Sequence, residues 1–315
     1  MPTAIASGGR IRTNIPAQNA YNSLVKSNNI IADKQLRLST GKRINSAADD
    51  VAGYITSRAL GARNGALQSA KISTGDAKNV TSISQDALDN INNLLTSIKD
   101  AAATASSGAL GTDEKVALAK GAYRMAEQVQ FIVDSTVFGG NQLLKGDYSG
   151  DWVVGYTHDN SILEIGVDLT SGNTTEFNVT GSGAGDFDLN ATSNSLSSFA
   201  GVEGLSLQSL NDVSATDLGM FSKENINSTL TSLSSALNNV NKVASYLGGI
   251  ENRLTSQEDL LNSQITNYKA AISRIEDADV AQEQLELVKA QFLQQTSLIS
   301  LAQSNQNPQS YLQLF

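Results

Sequence analysis

The sequence predicts a mainly α protein: a long antiparallel helical rod with a coiled-coil core formed by both chain ends, interrupted by a small β-rich central insertion. Three observations carry that expectation. The only prolines are Pro2, Pro16 and Pro308, so no proline interrupts a helix between residues 17 and 307. Apolar residues recur in steps of three and four over long stretches on both sides of the middle, which is the spacing of one helical face. Residues 144–215 change character, with Ser, Thr, Asn, Asp and Gly dominating. Aromatics are only 5% of the chain, so the core must use Leu, Ile, Val and Ala, which suits helix-on-helix packing.

Each element follows from its own pattern. Near the N-terminus, Ala17, Leu24, Ile31 and Leu38 repeat every seven residues. From Ala77 the apolar row runs through Val80, Ile83, Ala87, Ile91, Leu94 and Ile98 to Ala105, and Ala48, Val51, Ala52 and Ile55 extend it upstream, with Ser46 or Asn45 as cap. A single helix over 46–106 would be roughly 90 Å long at 1.5 Å per residue. After the loop SSGALGTD, Thr112 caps a helix carrying Val116, Ala119, Tyr123, Ala126, Val129 and Val133; with Lys115 at its third position the capping box is incomplete. A long seam opens at Ser222 and runs from Ile226 to Ile275, with Gly248 and Gly249 as places where it can kink. The last stretch, Asp277 to about Ser304, repeats Ala278, Leu285, Phe292 and Ile299 every seven, with Ala281, Val288 and Ala302 at the companion position and Gln295 breaking the row. Between these halves, short alternations at 152–156, 162–167 and 176–179 read as strands separated by turn clusters such as GSGAG at 181–185. The order helix, helix, insertion, helix, helix brings the termini together and sends the middle far away.

Composition excludes several kinds of function. There is no cysteine, hence no disulfide scaffold, thiolate metal site or cysteine nucleophile, and the single histidine excludes a His-rich metal centre. The formal charge is −9, which disfavours nucleic acid as a partner. No stretch has the apolar length of a membrane span. The opening MPTAIASGGRIRTN lacks the apolar core of a secretory signal, which leaves a cytoplasmic protein or export by a signal-independent route.

The search for chemistry returns no catalytic, cofactor-binding or metal site. His158 stands in the polar turn YTHDN, without partners in the sequence that would make it a base or a ligand. Asp49 and Asp50 follow a helix start, where acids complement the macrodipole. GSGAG has no lysine and no helix after it, as a phosphate loop requires. The expectation is a non-enzymatic protein without cofactors.

Three long blocks carry a resemblance: IRTNIPAQNAYNSL (11–24), LSTGKRINSAADDVAGYITSRAL (38–60), and AISRIEDADVAQEQLELVKAQFLQQTSLISLAQSNQNPQSYLQLF (271–315). In that order they resemble bacterial flagellin, over roughly residues 11–143 and 216–315. The resemblance implies a subunit that polymerises into the extracellular flagellar filament for swimming. It implies an inner terminal domain of 1–45 with 276–315, and a helical rod domain of 46–143 with 216–275 whose β-hairpin starts in STVFGGNQLL (135–144). Residues 144–215 would be a variable outer domain. It further implies export through a type III apparatus with a chaperone, contact with filament-cap and hook-junction proteins, and a family-signature junction at Arg43, Ile44, Asn45, Ser46, Asp49, Asp50, Arg274, Glu276 and Asp277. In flagellins detected by the animal innate-immune receptor the helix near 96–103 carries arginines; Ser97 and Lys99 stand there in this chain, beside Asp100.

The polymerisation interface is expected on the two heptad rows: Ala17, Leu24, Ile31 and Leu38 at one end; Ala278, Leu285, Val288, Phe292, Ile299 and Ala302 at the other. Few large apolar anchors stand against the entropy of ordering the N-terminal segment, so the ends are expected to order only on docking to copies. The competing readings are a hook–filament junction protein and a surface adhesin on a coiled-coil stalk.

Overall fold

The structure, a computed structural model, describes residues 14–157, 161–170 and 214–312. Helix α1 spans Ile15–Thr40, α2 Val51–Ala105 and α3 Thr112–Ser135; strands β1 (Val137–Phe138), β2 (Asn141–Gln142), β3 (Ser149–Tyr156) and β4 (Ile162–Asp168) follow; α4 spans Ile226–Glu276 and α5 Val280–Leu312. The chain is mainly helical with small central hairpins, as the periodicity predicts. His158, the strand expected at 176–179 and the GSGAG turn lie outside the described residues. The chain divides into two compact units, residues 1–64 with 266–315 and residues 65–265, the division falling within α2 and α4.

The unit of residues 65–265 has a continuous apolar core. Leu88, Ile91, Leu95 and Ile98 of α2 meet Val129 and Val133 of α3 and Leu233, Val240 and Leu247 of α4, all essentially inaccessible to solvent. Alanines at 77, 102, 119, 122, 126 and 236 let the helices approach closely. The α2 seam also buries Thr74, Thr81 and Ser84 completely. Each hydroxyl donates to the carbonyl four residues earlier, of Ala70, Ala77 and Val80, so these three buried hydroxyls are satisfied within their own helix. Asn92 Nδ2 donates to Asn241 Oδ1 at 2.9 Å, tying α2 to α4.

The two hairpins close this unit. Gly139 and Gly140, at φ 59° and 89°, make the two-residue turn between β1 and β2, a left-handed conformation that glycine adopts without a Cβ penalty. Strands β3 and β4 pair antiparallel with Trp152 opposite Ile165 and a bulge between Val153 and Gly155. Val154, Ile165 and Val167 point into the core, Phe138 meets Trp152 edge to face at 6.3 Å, and Gln257 of α4 donates to the Val154 carbonyl at 2.8 Å.

Several boundaries differ from the sequence expectation, each for a local reason. Helix α2 starts at Val51, because the Asp50 carboxylate accepts from the Gly53 amide and caps it; Ser46 and Asn45 belong to the turn before it. Gly111 occupies the cap position of α3, which places Glu114 rather than Lys115 at the third helical position, and its carboxylate accepts from the Gly111 amide at 2.9 Å. Helix α4 begins at Ile226, after a short 3₁₀ turn at Gly219–Phe221, and runs unbroken through Gly248 and Gly249.

Candidate assembly surface

The unit of residues 1–64 and 266–315 is built on α1 and α5, which pack antiparallel. Pro16 sits in the first turn of α1, where its missing N–H costs nothing. The Asn14 side chain caps that turn by accepting from the Ala17 amide, and its Nδ2 donates to the Ser304 carbonyl at 2.8 Å. At the other end Gly41, at φ 69°, closes α1 in the left-handed conformation. Its carbonyl accepts from the Ala278 amide at 2.9 Å.

The junction residues of the sequence come together here. Arg43 reaches across with Nη2 to the Ile275 carbonyl at 2.7 Å, and its backbone amide donates to the Glu276 carbonyl at 2.7 Å. Ile44 is buried beside it. Lys42 Nζ pairs with Glu276 Oε1 at 2.7 Å, and Lys42 bridges Asp277 through the backbone. The Asp49 carboxylate accepts from the amides of Asn45 and Ser46, and these backbone donors, Ser46 first, hold its carboxyl below the usual carboxylate range. A Cβ at Gly53 would come within 2.6 Å of both Asp50 Oδ2 and Ile44 Cδ1, so any larger residue there must displace the Asp50 cap and the buried Ile44 side chain. Arg274 lies exposed in the last turn of α4.

Between α1 and α5 the seam repeats in alternating threes and fours. On α1 it holds Ala17, Ala20, Leu24, Ser27, Ile31, Lys34 and Leu38; on α5 it holds Glu283, Leu287, Ala290, Gln294, Ser297, Leu301 and Ser304, all buried or half-buried. Most of these side chains are small or polar. Asn28 and Gln294 exchange a hydrogen bond at 2.7 Å. Lys34 Nζ lies 2.9 Å from Glu283 and 2.5 Å from Glu286, and Arg37 reaches both Glu283 and Asp33. Burial pulls the Lys34 ammonium down, but hydrogen bonds to Glu283 and Glu286 outweigh it and hold it above the usual lysine value; the same contact with Lys34 holds Glu286 low.

The heptad rows expected to form the interface therefore divide. Ala17, Leu24, Ile31 and Leu38 lie in the α1–α5 seam. Leu285, Val288, Phe292 and Ile299 lie on the opposite face of α5, at 67%, 54%, 68% and 71% exposure, with Ala281 and Ala302 exposed beside them and Ala278 half-buried at the junction. So α5 is apolar on the side that faces away from its partner helix. The sequence also carries no charged residue from Ala290 to Phe315 in a chain of net charge −9. Hydrophobic periodicity does not find Glu283, Gln294, Ser297 and Ser304, because a polar seam has no apolar repeat; for the last three the charge-free run is the available signal. Ser97 and Asp100 are exposed on α2 and Lys99 is half-buried.

Comparison with known proteins places this geometry. The bacterial flagellin N-terminal helical region matches residues 11–149, and the bacterial flagellin C-terminal helical region matches residues 230–315. The chain belongs to the bacterial flagellin family. It is 29% identical over 311 residues to the flagellin of Bacillus subtilis (strain 168), covering 97% of this chain and 99% of that one. It is also 29% identical over 304 residues to the flagellin of Halalkalibacterium halodurans, covering 96% and 98%. Among solved structures, a putative flagellar hook-associated protein from Vibrio parahaemolyticus aligns with a TM-score of 0.55 at 13% identity, over 73% of this chain and 100% of that chain, a likeness of fold. As a flagellin the chain is a structural subunit of the extracellular flagellar filament and serves motility; it is not an enzyme. Its partners are other flagellin copies. No helix among the described residues is long and apolar enough to cross a membrane, and no group of acidic or histidine side chains among them could hold a metal ion.

Proposed function

We propose that the α1–α5 pair is the element that polymerises. Ala17, Leu24, Ile31 and Leu38 hold α1 on α5, while Leu285, Val288, Phe292, Ile299 and Ala302 present an apolar stripe to neighbouring copies, with Ala278 at its base. The observation that carries this reading is the exposure of that stripe on the face of α5 opposite the seam. A soluble single chain has no use for four large side chains in one exposed row; an assembly buries them. Each is worth about 1.5–3 kcal/mol when fully buried. A contact of this kind repeats head to tail without closing, and so builds an open helix.

On this reading residues 1–45 with 276–315 form the innermost layer of the filament, 46–143 with 216–275 the helical layer around it, and 144–215, whose β3–β4 hairpin packs onto that helical layer, the outer part. The junction of Arg43, Ile44, Asn45, Ser46, Asp49, Asp50, Arg274, Glu276 and Asp277 fixes the first layer to the second. The ends order on docking, because a seam whose large apolar members are Leu24, Ile31, Leu38, Leu287 and Leu301, the rest being small or polar, repays only part of the entropy of ordering two helices. A chain with loose ends suits passage through a type III export apparatus with an export chaperone guarding the apolar stripe, and filament-cap and hook-junction proteins meet the same stripe at the two filament ends. Seeding purified protein and viewing it by negative-stain microscopy tests the reading: long uniform filaments are expected, and discrete rods of fixed length would point to a stalk instead.

A further inference from the structure

The unit of residues 65–265 carries an apolar groove that its own core does not fill. It has a volume of about 530 Å³ and lies between the β3–β4 hairpin and α4, with Val154, Leu163, Ile165 and Leu260 as its wall. Leu163 and Leu260 are 47% and 48% exposed. Glu164 and Arg253 line it as well, and neither takes part in an ion pair among the described residues. Elsewhere on the same unit, Phe131 of α3 stands 65% exposed, its ring unburied on a helix whose other face is fully packed.

We propose that Phe131 of one copy docks in this groove of a neighbouring copy. The groove is ample for one phenyl ring, and burying that ring removes from water the largest exposed apolar side chain among the described residues of the unit. The charges agree in sign. Phe131 is followed by Asp134, one turn on along α3, and preceded by Arg124, two turns back; the groove offers Arg253 to the first and Glu164 to the second. The Asp134 carboxylate accepts from the Gln130 side-chain amide, and neither Asp134 nor Arg124 is in an ion pair among the described residues. Knob and groove are different surfaces, so the contact is heterologous and propagates through an open polymer. It rests on polymerisation of copies and is independent of which chain-end residues drive it.

The absence of cysteine makes the test clean. Full-length F131C and L260C, mixed in equal amounts and assembled into filaments, are exposed to a short thiol cross-linker. A covalent dimer is expected from the mixture and none from filaments of either variant alone. A second pair, S135C with N252C, leaves knob and wall intact and is expected to cross-link in the same way. D134R is expected to cut the yield at least fivefold and R253D to restore it. Filaments that form normally while neither pair cross-links would overturn the docking. Failure of the unmodified chain to form filaments would instead overturn the assembly reading.

Discussion

The two compact units share helices and little else in their physical chemistry. In residues 65–265 the apolar seam of each helix faces inward, and Leu88, Ile91, Leu95, Leu233 and Leu247 are closed off from water. In residues 1–64 and 266–315 most of the inward seam is small or polar, with Leu287 and Leu301 the large apolar side chains that α5 contributes to it, while Leu285, Val288, Phe292 and Ile299 of α5 face outward. The first unit has a completed core. The second is built so that its most favourable burial is still to come, in contact with something else. For a subunit that must stay soluble before it polymerises, this distribution separates folding from assembly.

Cutting the chain sharpens the contrast most. Removing residues 293–315 takes away Ile299 and most of the charge-free run. Electron microscopy is expected to show no filaments, while the circular-dichroism melt of the remaining chain stays close to that of the full protein. A collapse of that melt would mean that the two units are not separable in stability.

Single substitutions should separate the same way. Leu88→Ala opens a cavity in a completed core and is expected to cost about 2–5 kcal/mol in chemical unfolding of the monomer. Phe292→Ala is expected to leave monomer unfolding within about 0.5 kcal/mol. It should raise the critical concentration for polymerisation roughly tenfold to a hundredfold, the equivalent of about 1.5–3 kcal/mol of lost burial. Equal effects of both substitutions on the monomer would erase the distinction between the units.

A smaller effect belongs to pH. Glu286 is held low by Lys34, so its contribution to the α1–α5 pair is present above its unfolded value and is lost as pH falls through its folded value. Lys34 is held high, so its contribution is present below its unfolded value and is lost as pH rises through its folded value. The pair is therefore most stable on a plateau between the two. Glu286→Gln is expected to flatten the acid limb when helicity of the ends is followed against pH, with Glu283 still holding Lys34 and Arg37.

Much of this organisation was legible in the sequence because it depends on period and on turn chemistry. The heptad at Ala17, Leu24, Ile31 and Leu38 identifies a helical face directly, whereas the hairpin starting in STVFGGNQLL followed from the family resemblance, and the structure places its turn at Gly139–Gly140. The outward stripe of α5 was read as a heptad, but its direction was not, since period alone does not say which face meets which partner. The seam opposite it went unread because Glu283, Gln294 and Ser304 carry no hydrophobic signal. The junction contacts join Arg43 to Ile275 and Lys42 to Glu276, residues more than two hundred apart, and only the fold brings them together. Cap positions slipped at Gly111 and Asp50, because a glycine or a second carboxylate beside a better-known cap looks secondary until the hydrogen bonds are seen.

Hydrogen exchange, followed residue by residue in monomer and in filament, probes the difference between the units most directly. The account predicts slow exchange at Leu95 and Leu247 in both states, and at Leu24 and Phe292 fast exchange in the monomer that becomes slow in the filament. Strong protection of Leu24 and Phe292 in the solitary chain, unchanged on polymerisation, would contradict it.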